Sequence, residues 1–435
     1  MTIVATGRAR SPANAPRVAA VAVVLVAALA PPGMAQTPRS CQVFVDSTGG
    51  SGRSIDVGGG FVRTFQSGGI WAHCVGQDTR WYADSAAWFP DLSRFDMVGR
   101  VDFQDSTAQL QSDQASYYLR DERLEATGNA RLRNRITGSL LRGPQITYRR
   151  RVPGIRDSTE LTACSRPTVE YRSERDSAGA EPYLIVGDCV ALHGDNVATA
   201  RGRVTIDRSD FHGVADSATL DTQTETGRLM GGARVVGGDS SGYALTGHAI
   251  QYRLAARRLT WVQAEGNGAA TSAEWRVRAD TLQFDIRDDR IQAGVAWGDS
   301  TRPSAASVTN TITADSLVID APGQVLQEVR GIGDARAASR TDSADTGEDW
   351  VAGDTVTARF GDTAAGKRAL AEIVAVGAAR AHYRVYPTTD PLGPPDISYS
   401  RGTRITARFV EEKLARVDVA GKTDGVYLES RRRRP

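Results

Sequence analysis

The chain has 435 residues, with 53 Lys or Arg against 51 Asp or Glu, so its formal net charge is +2. That balance excludes the overall positive field by which proteins recruit nucleic acid. The four cysteines and five histidines show no C-x-x-C, H-E-x-x-H or other ligand spacing, so the sequence predicts no metal, no cofactor and no catalytic activity.

Residues 1–35 have the order of a secretory signal peptide. Arg8, Arg10 and Arg17 precede the apolar run 18–30, and small residues follow near a plausible cleavage point at Ala35. The run is shorter than the ~20 residues that a spanning helix needs. We therefore expect an exported, periplasmic protein that associates with the outer membrane. An uncleaved anchor is the alternative interpretation of the same run.

The cysteines form two sequence-local pairs in the exported portion. Cys41 with Cys74 and Cys164 with Cys189 is the simplest of three pairings in an oxidising compartment. Free thiols are the alternative. The second pair falls in residues 151–195, which lack the pattern of the rest of the chain, so we expect an irregular insert there.

Most of the chain repeats one pattern, in which a small or polar residue is followed by apolar residues two and four positions later, as in Asp280, Leu282 and Phe284. The copies begin at Asp84, Ser116, Pro144, Asp216, His248, Asp280, Asp315, Asp354 and Thr403. Three of the steps between successive copies are 32 residues. A fixed step of this size predicts a repeat architecture.

Each copy has a second half that alternates and closes on glycine, as in Leu124-x-Ala126-x-Gly128 and Val262-x-Ala264-x-Gly266. A period of two over five to eight residues predicts half-buried β-strands. One copy is thus predicted to be a strand, a turn and a second strand that ends near the glycine. The recurring Asp residues are predicted to satisfy backbone groups at turns and strand ends. Because such pairs bury an apolar face only by stacking, we expect an elongated all-β body.

The segments 115–118, 121–130 and 143–148 resemble the repeat of the OstA-like (LptA-like) lipopolysaccharide-transport proteins of the periplasm, and weaker copies extend from about Trp81 to Leu428. The resemblance implies an elongated β-jellyroll of stacked antiparallel strands, over residues 36–150 and again over 196–428. It also implies that acyl chains of lipopolysaccharide, or of a related glycolipid, lie between two sheets and move from the inner to the outer membrane. Implied partners are other β-jellyroll transport components, joined end to end by strand pairing, and further copies of this chain.

If the repeat register holds, one residue of each copy faces the interior and contributes to an apolar groove. These nine residues are Trp88, Tyr118, Tyr148, Leu220, Tyr252, Phe284, Ile319, Phe360 and Phe409. The alternative is that the same residues fill a closed core, the commoner fate of aromatic residues at matching strand positions.

Other features depart from the family or suggest other functions. The basic tail 429–435 is expected to be solvated, and the G-x-S-x-G string at 238–242 is expected to be a turn and not a nucleophile site. One competing function is an envelope β-solenoid that binds or acts on polysaccharide. Another is a structural scaffold without a ligand.

Overall fold

The computed structural model describes residues 41–172, 179–209, 211–237, 242–256, 258–272, 275–339, 347–363, 368–385, 394–410 and 413–430. The predicted signal peptide, residues 238–241 of the G-x-S-x-G string and residues 431–435 of the tail lie outside this part of the chain. Within it, no helix is both long enough and apolar enough to cross a membrane.

The described residues form β-strands and two single-turn 3₁₀ segments, Pro90–Leu92 and Pro322–Gln324, which confirms the all-β prediction. The first fourteen strands are β1 Val43–Thr48, β2 Gly52–Asp56, β3 Val62–Cys74, β4 Arg80–Phe89, β5 Arg94–Gln104, β6 Ala108–Tyr118, β7 Arg123–Asn134, β8 Leu140–Arg149, β9 Glu160–Cys164, β10 Thr168–Tyr171, β11 Tyr183–Val186, β12 Cys189–His193, β13 Val197–Arg208 and β14 Phe211–Asp221. The others are β15 Thr226–Gly237, β16 Ala244–Ala255, β17 Arg258–Thr271, β18 Arg276–Arg287, β19 Arg290–Trp297, β20 Ser304–Ala306, β21 Asn310–Thr313, β22 Ser316–Asp320, β23 Glu328–Ser339, β24 Asp349–Asp362, β25 Arg368–Val385, β26 Asp396–Val410, β27 Lys413–Ala420 and β28 Asp424–Leu428.

All 28 strands belong to one sheet, whose paired neighbours run antiparallel and follow the chain order. We call each successive strand position of this ladder a rung. In some rungs, two short strands in succession replace one long strand, and both pair with the same neighbouring long strand. The interrupted rungs are β1 with β2, β9 with β10, β11 with β12, β19 with β20, β21 with β22 and β27 with β28. The described strands therefore make 22 successive rungs.

Most long strands have a bulge at mid-length. In β7, Gly128 and Asn129 both have positive φ, +74° and +47°, and the pairing with β6 shifts at this point. An extra residue in one strand bends the ladder there. The prediction that the strand ends on its glycine was therefore wrong, because the left-handed pair lets the strand bend and continue to Asn134.

An aspartate on the preceding strand lies against the bulge glycine. A Cβ built on Gly128 would lie 2.6 Å from Asp113 Oδ2, so the carboxylate occupies the space that any other residue would fill. The same arrangement recurs at Asp84 with Gly99, Asp188 with Gly202, Asp216 with Gly231, Asp280 with Gly298, Asp315 with Gly333 and Asp354 with Gly377. The predicted strand-end role was therefore wrong for Asp84, Asp216 and Asp354, which lie at a bend within a strand. It is confirmed for Asp280, whose carboxylate accepts the Ser300 and Thr301 N–H groups beyond the end of β19 at 2.7 and 2.9 Å.

The bends divide the sheet into two half-sheets that share one core. Half-sheet 1 includes residues 101–104, 130–133 and 276–279, and half-sheet 2 includes residues 94–98, 123–127 and 281–287. Trp81 and Phe103 of half-sheet 1 contact Tyr117 of half-sheet 2, with ring centroids 5.2 and 6.1 Å apart. Buried residues from both half-sheets form a single apolar cluster.

From residue 160 onward, the described residues of the segment 151–195 do not form an irregular insert. They contain β9 to β12, which pair with β8 and β13 and so continue the ladder. The period-two pattern is hidden because Ser165 and Arg166, both with positive φ, and then Pro167 interrupt the rung at its bend. The sequence therefore shows only fragments of four or five residues.

Both predicted disulfides are present, and no described cysteine is free. The Cys41–Cys74 disulfide joins residues that are 33 positions apart. It links the buried Cys41, just before β1, to the last residue of β3. Cys164 and Cys189 are directly opposed on β9 and β12. Each bond therefore joins adjacent rungs of the ladder.

Candidate apolar binding cavity

Aromatic side chains fill the space between the half-sheets in the N-terminal part of the ladder. Trp81 contacts Phe103 and Tyr117, and Phe103 contacts Tyr148, with ring centroids 5.2–6.3 Å apart. The Tyr148 hydroxyl donates to Asp105 Oδ2 at 2.6 Å, and the Tyr117 hydroxyl donates to Glu122. Burial, reinforced by these carboxylates, raises the pKa of both tyrosines far above the usual range, so both remain donors.

The two buried carboxylates also close the N-terminal core. Asp105 accepts the backbone N–H groups of Thr107 and Ala108 at 2.8 and 2.7 Å. Glu122 accepts the Cys41 N–H at 3.2 Å and lies 3.3 Å from Arg150 Nη2. Each negative charge thus has donors, and the aromatic rings of this region pack against one another.

A cavity of about 380 Å³ opens between the half-sheets farther along the chain. Half-sheet 1 supplies Val277 and Ala305 to its wall, and half-sheet 2 supplies Phe284, Ile319 and Val329. The full lining is Gly242, Tyr243, Ala270, Thr271, Ser272, Trp275, Val277, Phe284, Ile291, Ala305, Ile319, Ala321, Gln324, Val325, Leu326, Val329 and Arg368. Most of these side chains are apolar, and the volume lies within the range of about 300–1,000 Å³ usual for small-molecule sites.

The cavity lining includes residues at the ends of the half-sheets farthest from the bend, such as Thr271 of β17 and Ala321 after β22. Trp275 lies on the half-sheet 1 side and packs edge-on against Phe360, with centroids 5.2 Å apart. Among the described lining residues, Arg368 carries the charge. Its Nε donates to the Leu326 carbonyl at 3.0 Å, and its Nη1 lies 3.1 Å from Asp362 Oδ1. The cavity is thus an apolar space with a guanidinium fixed at its edge.

The structure separates the nine predicted groove residues into several environments. Phe284 and Ile319 line the cavity. Tyr148, Leu220 and Tyr252 are buried in the packed core. Trp88, Phe360 and Phe409 are half-buried and pack against that core.

Tyr118 faces outward, so the predicted register was wrong for that copy. The alternation runs through Ala115 and Tyr117, which are buried, and places Tyr118 on the outer surface. There the Arg123 guanidinium lies 4.2 Å from the centre of the Tyr118 ring. Because Tyr117 and Tyr118 are adjacent, either of them could continue the buried alternation, and the sequence alone does not show which one does.

The sequence-based prediction missed the half-sheet 1 wall. Val277 and Ala305 lie on strand segments that the nine-residue row did not include. The sequence of β18 contains a weak indication of this wall, because Val277 and Ala279 alternate with the exposed Arg276 and Arg278. Val325 and Leu326 lie in a loop and left no periodic signal.

The described residues contain no group of three or more His, Cys, Asp or Glu side chains arranged to hold a metal ion. Three of the histidines have other neighbours: His73 pairs with Asp46, His212 pairs with Asp207, and His248 takes the bend position against Gly266.

Comparisons with known proteins leave the family open. No protein-family model matches the chain. No curated protein matches it either.

Proposed function

We propose that this protein binds the acyl chains of lipopolysaccharide, or of a related glycolipid, in the apolar cavity and carries the lipid across the periplasm as part of a bridge between the two membranes. The observation that supports this proposal best is the 380 Å³ apolar cavity between the two half-sheets. The proposal includes the open β-jellyroll form of the fold.

The energetics favour a ligand with a long apolar part. Each methylene moved out of water contributes about 0.8 kcal/mol, so a chain of a dozen carbons does not cross an aqueous compartment unaided. The cavity wall offers Phe284, Ile319 and Val329 as contacts for such a chain. A mostly apolar wall suits the apolar part of a ligand.

The charged residue of the lining, Arg368, suits an anionic headgroup. Arg368 is held at the edge of the cavity by the Leu326 carbonyl and Asp362. A guanidinium in this position presents several donors to phosphate. An amphiphile with an acyl chain against the apolar wall and a phosphate at Arg368 would therefore satisfy both parts of the site.

The two ends of the ladder suit strand pairing with other β proteins. The first rung exposes Phe44 and Val45 on β1, and the last exposes Val426, Tyr427 and Leu428 on β28. An exposed edge strand presents unpaired backbone donors and acceptors to another chain. We propose that these edges join transport components at the inner and outer membranes, or further copies of the chain.

A periplasmic location belongs to the same proposal. The two disulfides are compatible with an oxidising compartment.

The test is to purify the protein from its native host and identify extracted lipid by mass spectrometry, followed by competition with added lipopolysaccharide. We expect a co-purified glycolipid that added lipopolysaccharide displaces. A protein that carries no lipid and does not bind lipopolysaccharide would end the proposal.

A further inference from the structure

The outward surface of half-sheet 1 carries an excess of arginine. Two rows of outward-facing residues cross this half-sheet from strand to strand, one through Trp71, Tyr82 and Asp102 and the other through His73, Arg80 and Gln104. We call these two rows the arginine face. Its arginines are Arg80, Arg131, Arg133, Arg142, Arg234, Arg276, Arg278, Arg336, Arg380 and Arg401. All ten are exposed.

Carboxylates are scarce on this face. The same two rows contain Asp102, Glu170, Asp207 and Asp424, four against ten arginines. Arg142 pairs with Glu170 at 2.7 Å, Arg401 pairs with Asp424, and Arg336 pairs with Glu348 beside the rows. Among the described residues, the other seven arginines of the face have no carboxylate within ion-pair distance, and Arg131 bonds only the Gln111 amide oxygen.

The outward surface of half-sheet 2 is organised differently. There Arg359 lies between Glu328 and Glu372, at 3.1 and 2.8 Å, and Arg408 reaches both Glu372 and Asp418. Opposite charges thus alternate across successive strands. Half-sheet 2 also has exposed arginines without a carboxylate partner among the described residues, among them Arg53, Arg287 and Arg290. What distinguishes the arginine face is therefore the scarcity of carboxylates in its two rows.

The arginine face also retains like-charge neighbours. Arg131 lies directly opposite Arg142 on the next strand, and Arg380 lies directly opposite Arg401. Like charges at directly opposed positions destabilise a sheet. A bound polyanion would remove this repulsion and pair the unpaired guanidinium groups.

The aromatic and amide side chains between the arginines are of the kinds that contact sugars. At the N-terminal end, the Trp71 and Tyr82 rings lie 4.6 Å apart, and the Trp71 side chain is 56% exposed. Beside them, Gln109 and Gln111 donate to Asp102 at 3.1 Å, forming a surface of amides and a carboxylate. Aromatic faces with adjacent hydrogen-bonding groups suit sugar rings and hydroxyls better than a purely ionic surface does.

The extent of the face favours a chain-like ligand over a flat one. Its arginines occur from β4 to β26, across most of the ladder. Neighbouring strands of a sheet are rotated by about 20° on average, so a row that crosses this many strands does not lie in one plane. A planar lipid surface would reach a few of these arginines, whereas a flexible polymer can follow the row.

We infer that the arginine face binds an acidic polysaccharide chain, outside the core and independently of any lipid in the cavity. The carboxylates of the polymer pair with the unpaired arginines, and its sugar rings lie over Trp71, Tyr82 and the glutamines between them.

The test uses polygalacturonate as the acidic polymer and pullulan as the neutral one, with binding followed by calorimetry on the full chain. The face variant R131Q/R133Q/R278Q removes three unpaired arginines. The control variant R53Q/R287Q/R290Q removes three exposed arginines of half-sheet 2 that have no carboxylate partner among the described residues, so both variants change the net charge equally. All six side chains are exposed, so neither variant disturbs the core.

We expect the wild-type protein to bind polygalacturonate but not pullulan, with an affinity that falls as salt is added. The face variant should lose about tenfold or more in affinity, and the control should stay within about twofold of wild type. Equal losses in the two variants would overturn the inference. So would binding to phosphatidylglycerol vesicles without binding to polygalacturonate, or binding to neither. The polymer-binding measurement needs no lipid. A negative result in it would therefore not contradict the proposal that the cavity binds lipid.

Discussion

Asp113 lies against the α-carbon of Gly128 on the next strand, so that a methyl group at Gly128 would lie 2.6 Å from the Asp113 carboxylate. Gly128 also has a φ of +74°, which side chains rarely adopt. We therefore expect Gly128→Ala to lower the free energy of unfolding by about 2 kcal/mol or more, from strain and steric overlap together. Urea unfolding followed by circular dichroism measures this change.

Gly154→Ala is the matched control for that experiment. Gly154 has a φ of +83°, but nothing lies within 4 Å of the added methyl group. It should cost about 1 kcal/mol from backbone strain alone. Equal losses at both positions would mean that the aspartate does not restrict the bend.

Removal of a buried tyrosine hydroxyl should lower the free energy of unfolding at one position but not at another. Tyr148→Phe takes a donor from the buried Asp105 and should lower the free energy of unfolding by about 1–3 kcal/mol. The Tyr252 hydroxyl is buried without a hydrogen-bond partner among the described residues, so Tyr252→Phe should be neutral or stabilising. A comparison of the urea midpoints of the two variants checks this, and a larger loss for Tyr252→Phe would contradict it.

Removal of a disulfide should destabilise the ladder locally. Loop-closure entropy predicts a loss of about 3–4 kcal/mol for loops of the size closed by Cys41 and Cys74 or by Cys164 and Cys189. Because each rung contacts mainly its neighbours, C41S/C74S should speed amide exchange in β1 to β3 and leave β24 to β26 unchanged. Hydrogen exchange measured by mass spectrometry follows both regions, and uniform acceleration along the chain would contradict a repeat ladder.

The ion pairs at the bends predict the pH dependence of stability. The hydrogen bond from Arg100, opposed by partial desolvation, lowers the pKa of Asp84, and Arg203 does the same for Asp188. A carboxylate whose pKa is lower in the folded state stabilises that state above its unfolded pKa, about 3.9, and this contribution disappears as the pH falls through the folded value. The melting temperature should therefore fall below about pH 4. The decline should be shallower in D84N/D188N, and an identical slope in that variant would contradict the assignment.

Much of the fold follows from the alternation of residues, but the bend does not. The period of two identifies strands such as β7 and β18, and the recurring Asp and Gly identify the repeat. The sequence does not show that Gly128 lies within a strand, because a glycine after an alternating run is equally compatible with a strand end. The cavity was predicted only through Phe284 and Ile319, because its other wall comes from half-sheet 1. The alternation within a strand does not show which residues of the two half-sheets face each other across the core.

The most direct test of lipid binding compares two adjacent residues of β22 that face opposite sides of the sheet. Ile319 is 6% exposed and lines the cavity, whereas Val318 is 37% exposed and faces outward. A photoreactive benzoylphenylalanine is placed at each position, and the protein is irradiated with lipopolysaccharide. We expect a covalent lipid adduct from position 319 and none from position 318. Adducts of equal yield at both positions, or at neither, would contradict it.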